Sequence, residues 1–91
     1  MAWIWDPKKD EANRRKHGLP LSVGRAALDD PLAVSVPDPH PDGDRWNTLA
    51  SISGVTLFIV HTLPDDDAPG RIISVRRADR TERKAYKHGE H

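Results

Sequence analysis

The residues best suited to chemistry lie in the last third of the chain, Arg71-Ile-Ile-Ser-Val-Arg-Arg-Ala-Asp-Arg-Thr-Glu-Arg-Lys-Ala-Tyr86, where an apolar strand runs into a short Arg-rich helix. Guanidinium groups offer planar, paired donors that match a phosphate. Arg76 and Arg83 are therefore the candidates for positioning and polarising a phosphodiester. Glu82, His61 and His17 are the candidates for moving a proton, and Tyr86 for orienting or donating one. Lys9, Lys16, Arg45, Arg71, Arg77 and Arg80 are cations suited to a nucleic-acid backbone. A structural reading stands beside the catalytic one. In it, an Arg76–Glu82 ion pair holds the last helix to the sheet, and His61 fills the sheet face at a period-two position shared with Val55, Leu57 and Ile59.

Charge is segregated along a formally neutral chain. Residues 71 to 88 carry seven Lys/Arg against two acids, a local net of +5, whereas residues 29 to 67 hold eight Asp and one Arg, a local net of −7. The basic end fits one limited nucleic-acid site. The Asp38, His40, Asp42, Asp44 alternation fails as a calcium loop, because the twelfth positions counted from Asp38 and Asp42 are Leu49 and Ser53 rather than Glu. It reads as a solvated loop, and so does Asp65-Asp66-Asp67. No metal site or cofactor is expected. With no Cys in 91 residues, disulfides, thiolate catalysis and Cys-based zinc sites are excluded. No apolar run is long enough to span a bilayer, and the opening Met-Ala-Trp-Ile-Trp-Asp lacks the pattern of a signal peptide. The expectation is one soluble, cytoplasmic domain over residues 1–91 that contacts no membrane.

These side chains must be positioned by the following elements. Trp3-Ile4-Trp5 reads as a short strand. Asp6-Pro7 is an N-cap and first helical position for a helix through His17 that stops at Gly18. That helix has Ala12 as almost its only apolar residue and needs a cover of tryptophan or a partner. Pro20 opens a second helix, Leu21 to Leu28, ended by Asp29-Asp30-Pro31. Strands follow at Leu32 to Val36, Arg45 to Ile52, Val55 to Leu63 and Arg71 to Arg77, with Ser53-Gly54 as a hairpin turn. Asp79 and Glu82 form a capping box for the last helix. Strict alternation in the last strand puts Ile72 and Ser74 with Arg76, and Arg71, Ile73 and Val75 with Arg77. The fold class is α+β: an antiparallel sheet of about four to five strands, two N-terminal helices and one C-terminal helix.

Several of these pieces fall in a familiar order. Trp5-Asp6, Lys9, Asn13, Lys16-His17-Gly18, Asp30-Pro31, Arg45, His61-Thr62, Arg71-Ile-Ile-Ser-Val-Arg76, Ala78, Glu82-Arg83 and Tyr86 resemble the BrnT toxins, over roughly Trp5 to Tyr86. Leu21 and Leu28 stand where that family usually has Phe, Gly24 where it often has Ala, Ala50 for a common Gly, and Asp79 for a common Thr. The resemblance implies a RelE-like fold and a ribonuclease toxin of a bacterial type II toxin-antitoxin pair. It implies metal-independent cleavage of RNA that inhibits translation. Its partner would be a BrnA-like ribbon-helix-helix antitoxin, with operator DNA met only through that antitoxin. The alternative is a catalytically weak binding module that partners the antitoxin in operon autoregulation. The nuclease reading requires the guanidinium groups of the strand-to-helix corner to converge on one open, phosphate-sized hollow.

Overall fold

The computed structural model describes residues 2–41 and 43–91; Asp42 of the Pro-rich loop lies outside the described residues. The elements run β1 (Trp3–Ile4), α1 (Pro7–His17), α2 (Leu21–Ala27), β2 (Val34–Pro37), β3 (Trp46–Ile52), β4 (Val55–His61), β5 (Gly70–Arg77) and α3 (Arg80–Lys87). This is the expected α+β class. The five strands form one sheet in the order β1-β5-β4-β3-β2. β2 to β5 pair antiparallel, but β1 joins β5 in parallel, so the sheet is mixed. A two-residue run carries no signal of which strand it will pair with or in which direction. The close approach here is visible at Gly70, where a Cβ would come within 2.4 Å of the Trp3 ring.

The helix α1 forms for the reasons its sequence suggests. Asp6 accepts from the Lys8 amide at 2.8 Å, Pro7 opens the first turn, and Gly18 closes the last at φ 72°. What docks it is polar. The Asn13 amide group donates to the carbonyls of Leu19 and Val75, both at 2.8 Å, and its oxygen accepts from the Val75 amide at 3.0 Å. One buried side chain thereby satisfies the outward-facing backbone of β5 where β1 has ended. Asp10 of α1 also accepts from the Leu21 amide at 2.8 Å, capping α2 from outside. Gly24 lets α2 lie close to the sheet, since a Cβ there would stand 2.5 Å from Val75 Cγ2.

The main core joins Leu21 and Ala27 of α2 to Ala50, Leu57, Ile59, Ile72 and Val75 of the sheet, with Trp3 and Trp5 packed against it. On the opposite face, Arg76, Phe58 and Leu49 stand in register across three strands, and α3 packs over β3 and β4 there. The strand β5 departs from strict alternation. Ile72 pairs with His61 but Ser74 pairs with Val60, so Ile73 is an extra residue in a bulge. Ile72 and Val75 consequently share the helix-covered face, and Arg71 is separated from Val75, contrary to the period-two reading. Ser74 and Arg76 do share a face.

Strand ends shift for local reasons. β2 starts at Val34 because Asp30 ties the preceding turn, accepting from the amides of Leu32 at 2.9 Å and Ala33 at 3.1 Å. β3 starts at Trp46 after the Gly43–Arg45 turn, and β4 ends at His61. Ser53 and Gly54, both at positive φ, make the expected two-residue hairpin. Among the described residues no helix is long and apolar enough to cross a membrane.

Candidate active site

Arg76 leaves β5 on the α3 side and is held from two directions. Its two terminal nitrogens donate to the two oxygens of Glu82 at 2.7 and 2.9 Å, and its Cζ lies 4.2 Å from the Phe58 ring centroid. Glu82 is doubly used, because the same carboxylate accepts from the Asp79 amide at 2.8 Å while Asp79 accepts from the Glu82 amide at 2.8 Å. The capping box that starts α3 thus also aims the arginine. The hydrogen bond from Arg76 holds the Glu82 carboxyl below its ordinary range, and that bond raises Arg76 in turn. Arg76 keeps 34 % of its side chain exposed. Arg83 donates to the Ala78 carbonyl at 2.9 Å. The corner guanidinium groups are therefore anchored to the corner itself and do not converge on a shared hollow, contrary to the expectation.

A separate hollow lies between α1 and β5, and neither Arg76 nor Arg83 borders it. It is a groove of about 240 Å³ bordered by Lys9, Asn13, Lys16, His17, Ile73 and Ser74. The spacing of Lys9, Asn13 and Lys16 places all three on one face of a helix, and Asn13 pins that face to β5. The bulge at Ile73 makes the groove wall, and Ser74 carries it toward Arg76. His17 is half-buried at the end of α1. Burial first, then the charges of Lys16 and Arg76, push its pKa down. The arrangement offers a neutral imidazole, able to accept a proton, amid cations able to hold an anion.

Two candidates for proton transfer sit elsewhere. His61 is buried on the helix-covered face, with the sheet between it and Arg76. Its Nδ1 donates to the Thr62 carbonyl at 2.8 Å, which leaves Nε2 to accept from the Thr48 hydroxyl at 2.6 Å. Ser35 lies 2.6 Å beyond, completing a chain of hydrogen bonds across the sheet, and Trp3 packs edge-on to the imidazole at 5.4 Å. Burial lowers the His61 pKa, so the ring is neutral and fully engaged. Tyr86 donates to Asp30 at 2.5 Å. Burial works against the Asp30 charge, but Tyr86, Leu32 and Ser51 outweigh it and lower its pKa. The bond to Asp30 raises Tyr86. These are structural ties, and they withdraw both residues from the groove.

The other cations disperse. Arg77 is exposed on the helix-covered face opposite Leu57, Arg80 is exposed at the start of α3, and Arg45 is half-buried in a turn before β3. Arg71 lies at the far end of β5 beside Ile4, Asp44 and Asp65. Of the six cations singled out for backbone contacts, the groove gathers Lys9 and Lys16. Sequence reading gave no role to Phe58 and named Asn13 only within a motif. For Asn13 a signal existed, a lone amide on an otherwise charged helix face between two lysines. For Phe58 none did, since an aromatic on a central strand is ordinary core. Among the described residues, no three His, Asp or Glu side chains gather as metal ligands would.

Residues 5–82 match a family model described as the ribonuclease toxin BrnT of a type II toxin-antitoxin system. Arg83 and Tyr86 fall outside the matched span. No curated protein matches the chain.

Proposed function

The chain belongs to the BrnT family of ribonuclease toxins of type II toxin-antitoxin systems, and we propose that it cleaves RNA in the α1–β5 groove without a metal, in the cytoplasm. Lys9 and Lys16 bind the backbone, and His17 accepts the proton of the attacking 2′-hydroxyl. Arg76 neutralises the phosphorane, and the 5′-oxygen leaves with a proton from solvent, giving a 2′,3′-cyclic phosphate. Glu82 acts as a positioning residue: ionised and bonded through both oxygens, it is a poor proton carrier but a firm clamp for Arg76. Arg83 supports the corner through Ala78. The corner guanidinium groups do not carry this reading; the observation that does is a half-buried, depressed-pKa imidazole beside Lys9 and Lys16 around one groove, with Arg76 outside the lining but near enough for its charge to act on the ring. The same reading has a cognate antitoxin, BrnA-like and carrying a ribbon-helix-helix DNA-binding domain, neutralise the activity.

A second reading draws on the engagement of Arg76 with Glu82. A catalytically weak chain that partners the antitoxin in operon autoregulation needs Arg76 only as a tie between α3 and the sheet. Purified chain incubated with RNA in EDTA separates the two. Wild type cleaving, with Arg76→Ala and His17→Gln each slowed about a hundredfold, supports the nuclease. No cleavage by wild type favours the module, and cleavage that disappears on adding EDTA overturns the metal-free scheme.

A further inference from the structure

Two acidic loops distant in sequence meet at the end of the sheet remote from Arg76, and the surface they border is apolar. Ile4 and Leu63 are large aliphatic residues left 51 % and 45 % exposed. Two adjoining hollows, of about 370 and 270 Å³, share Ile4, Asp65, Ala68 and Pro69 as walls; Pro64 closes the first and Leu63 the second. Asp44 reaches the second from the loop before β3, while Asp66 and Asp67 border the first. Asp65 fixes the loop shape by accepting from the amides of Asp67 at 2.8 Å and Ala68 at 2.7 Å, and Asp66 and Asp67 are left exposed. The floor is the end strand of the sheet, β1, so the groove runs along an edge. An exposed aliphatic groove rimmed by polar groups marks a protein interface. Arg71 also borders the second hollow, but four carboxylates, Asp44, Asp65, Asp66 and Asp67, outnumber that one cation around the two hollows, so the local field favours a basic peptide over a phosphate backbone.

We propose that this groove docks a basic segment of the antitoxin, with an aliphatic side chain seated between Ile4 and Leu63 and Lys or Arg side chains on Asp44, Asp66 and Asp67. The inference goes beyond RNA cleavage and rests on the family's pairing with an antitoxin, not on the α1–β5 groove being catalytic.

The test titrates the full chain with the antitoxin encoded beside its gene, by calorimetry. Leu63→Asp, and separately the charge reversal Asp66→Lys with Asp67→Lys, are expected to weaken binding at least about tenfold, the reversal more so at low salt. All three positions are exposed, and an unchanged melting temperature confirms that each variant is folded. Lys9→Ala with Lys16→Ala is expected to bind the antitoxin within about twofold of wild type, as surface changes away from the contact do. Groove variants that bind like wild type overturn the proposal, and so do lysine variants that lose the antitoxin instead. A wild-type dimer in sedimentation that Leu63→Asp dissolves overturns it in favour of a second copy. Wild type that binds the antitoxin here yet cuts no RNA defeats the nuclease reading alone.

Discussion

A double-mutant cycle on Arg76 and Glu82 separates holding from catalysing. The pair is bidentate and only partly exposed, at 34 % and 18 %, so it belongs at the upper end of the range for surface ion pairs, about 1 kcal/mol. Arg76→Ala also loses the contact with Phe58, about 0.5–1 kcal/mol, for a total near 1.5–2 kcal/mol. Glu82→Ala loses the pair together with its share of the capping box, about 0.5–1.5 kcal/mol, for a total near 1.5–2.5 kcal/mol. The pair is removed only once in the double variant, so the coupling energy is about 1 kcal/mol. Melting temperatures should fall by about 4–8 °C for each kcal/mol in a domain of this size. Cleavage of purified RNA should follow a different order. Arg76→Ala removes the charge and costs about a hundredfold, whereas Glu82→Ala loosens an arginine that is still present and costs about tenfold or less. Because Arg76 depresses the Glu82 pKa, the pair's stabilisation is present above the ordinary glutamate range and is lost as pH falls through the lowered value. A coupling below about 0.3 kcal/mol, within ordinary additivity, would refute the clamp. Cleavage lost equally in both single variants would show that Glu82 itself handles a proton.

Three further outcomes follow from the same geometry. Asn13→Ala strands the Val75 amide and two carbonyls, so urea unfolding should show a loss of about 2–4 kcal/mol; a loss under about 0.5 kcal/mol would mean that α1 is docked by something else. Gly24→Ala drives a methyl against Val75 Cγ2, 2.5 Å away, and should cost about 1–3 kcal/mol, although alanine is the better helix former; a stabilised variant would contradict the close helix-to-sheet approach. His61 has a pKa lowered by burial, so its contribution is complete above about pH 6.5 and declines as pH falls toward the folded value. Wild type should lose stability over that acid range, and His61→Gln should show a shallower pH slope; parallel curves would place the acid sensitivity elsewhere.

Local chemistry in the sequence decided a good deal. Asp6-Pro7, Gly18, Asp79 with Glu82, and Ser53-Gly54 set helix ends and a hairpin through contacts a few residues long, and period-two burial marked β4. The opposite faces of Arg76 and Arg77, the shared face of Lys9 and Lys16, and the possibility of an Arg76–Glu82 pair were likewise legible, because each depends on the periodicity of one element or on a short reach. Long-range pairing was not. The β1–β5 parallel register, the bulge at Ile73 that turns Ile72 away from Arg76, the 62-residue reach from Asn13 to Val75 and the bond from Tyr86 to Asp30 all join groups whose separation along the chain says nothing of their separation in space. Composition and charge order determined that a basic end and an acidic middle would have to face different surroundings. Which side chains border each site was decided only when the sheet was assembled: its two faces separate His61 from Arg76, and the early end of β1 leaves the β5 backbone at Val75 to Asn13 of α1.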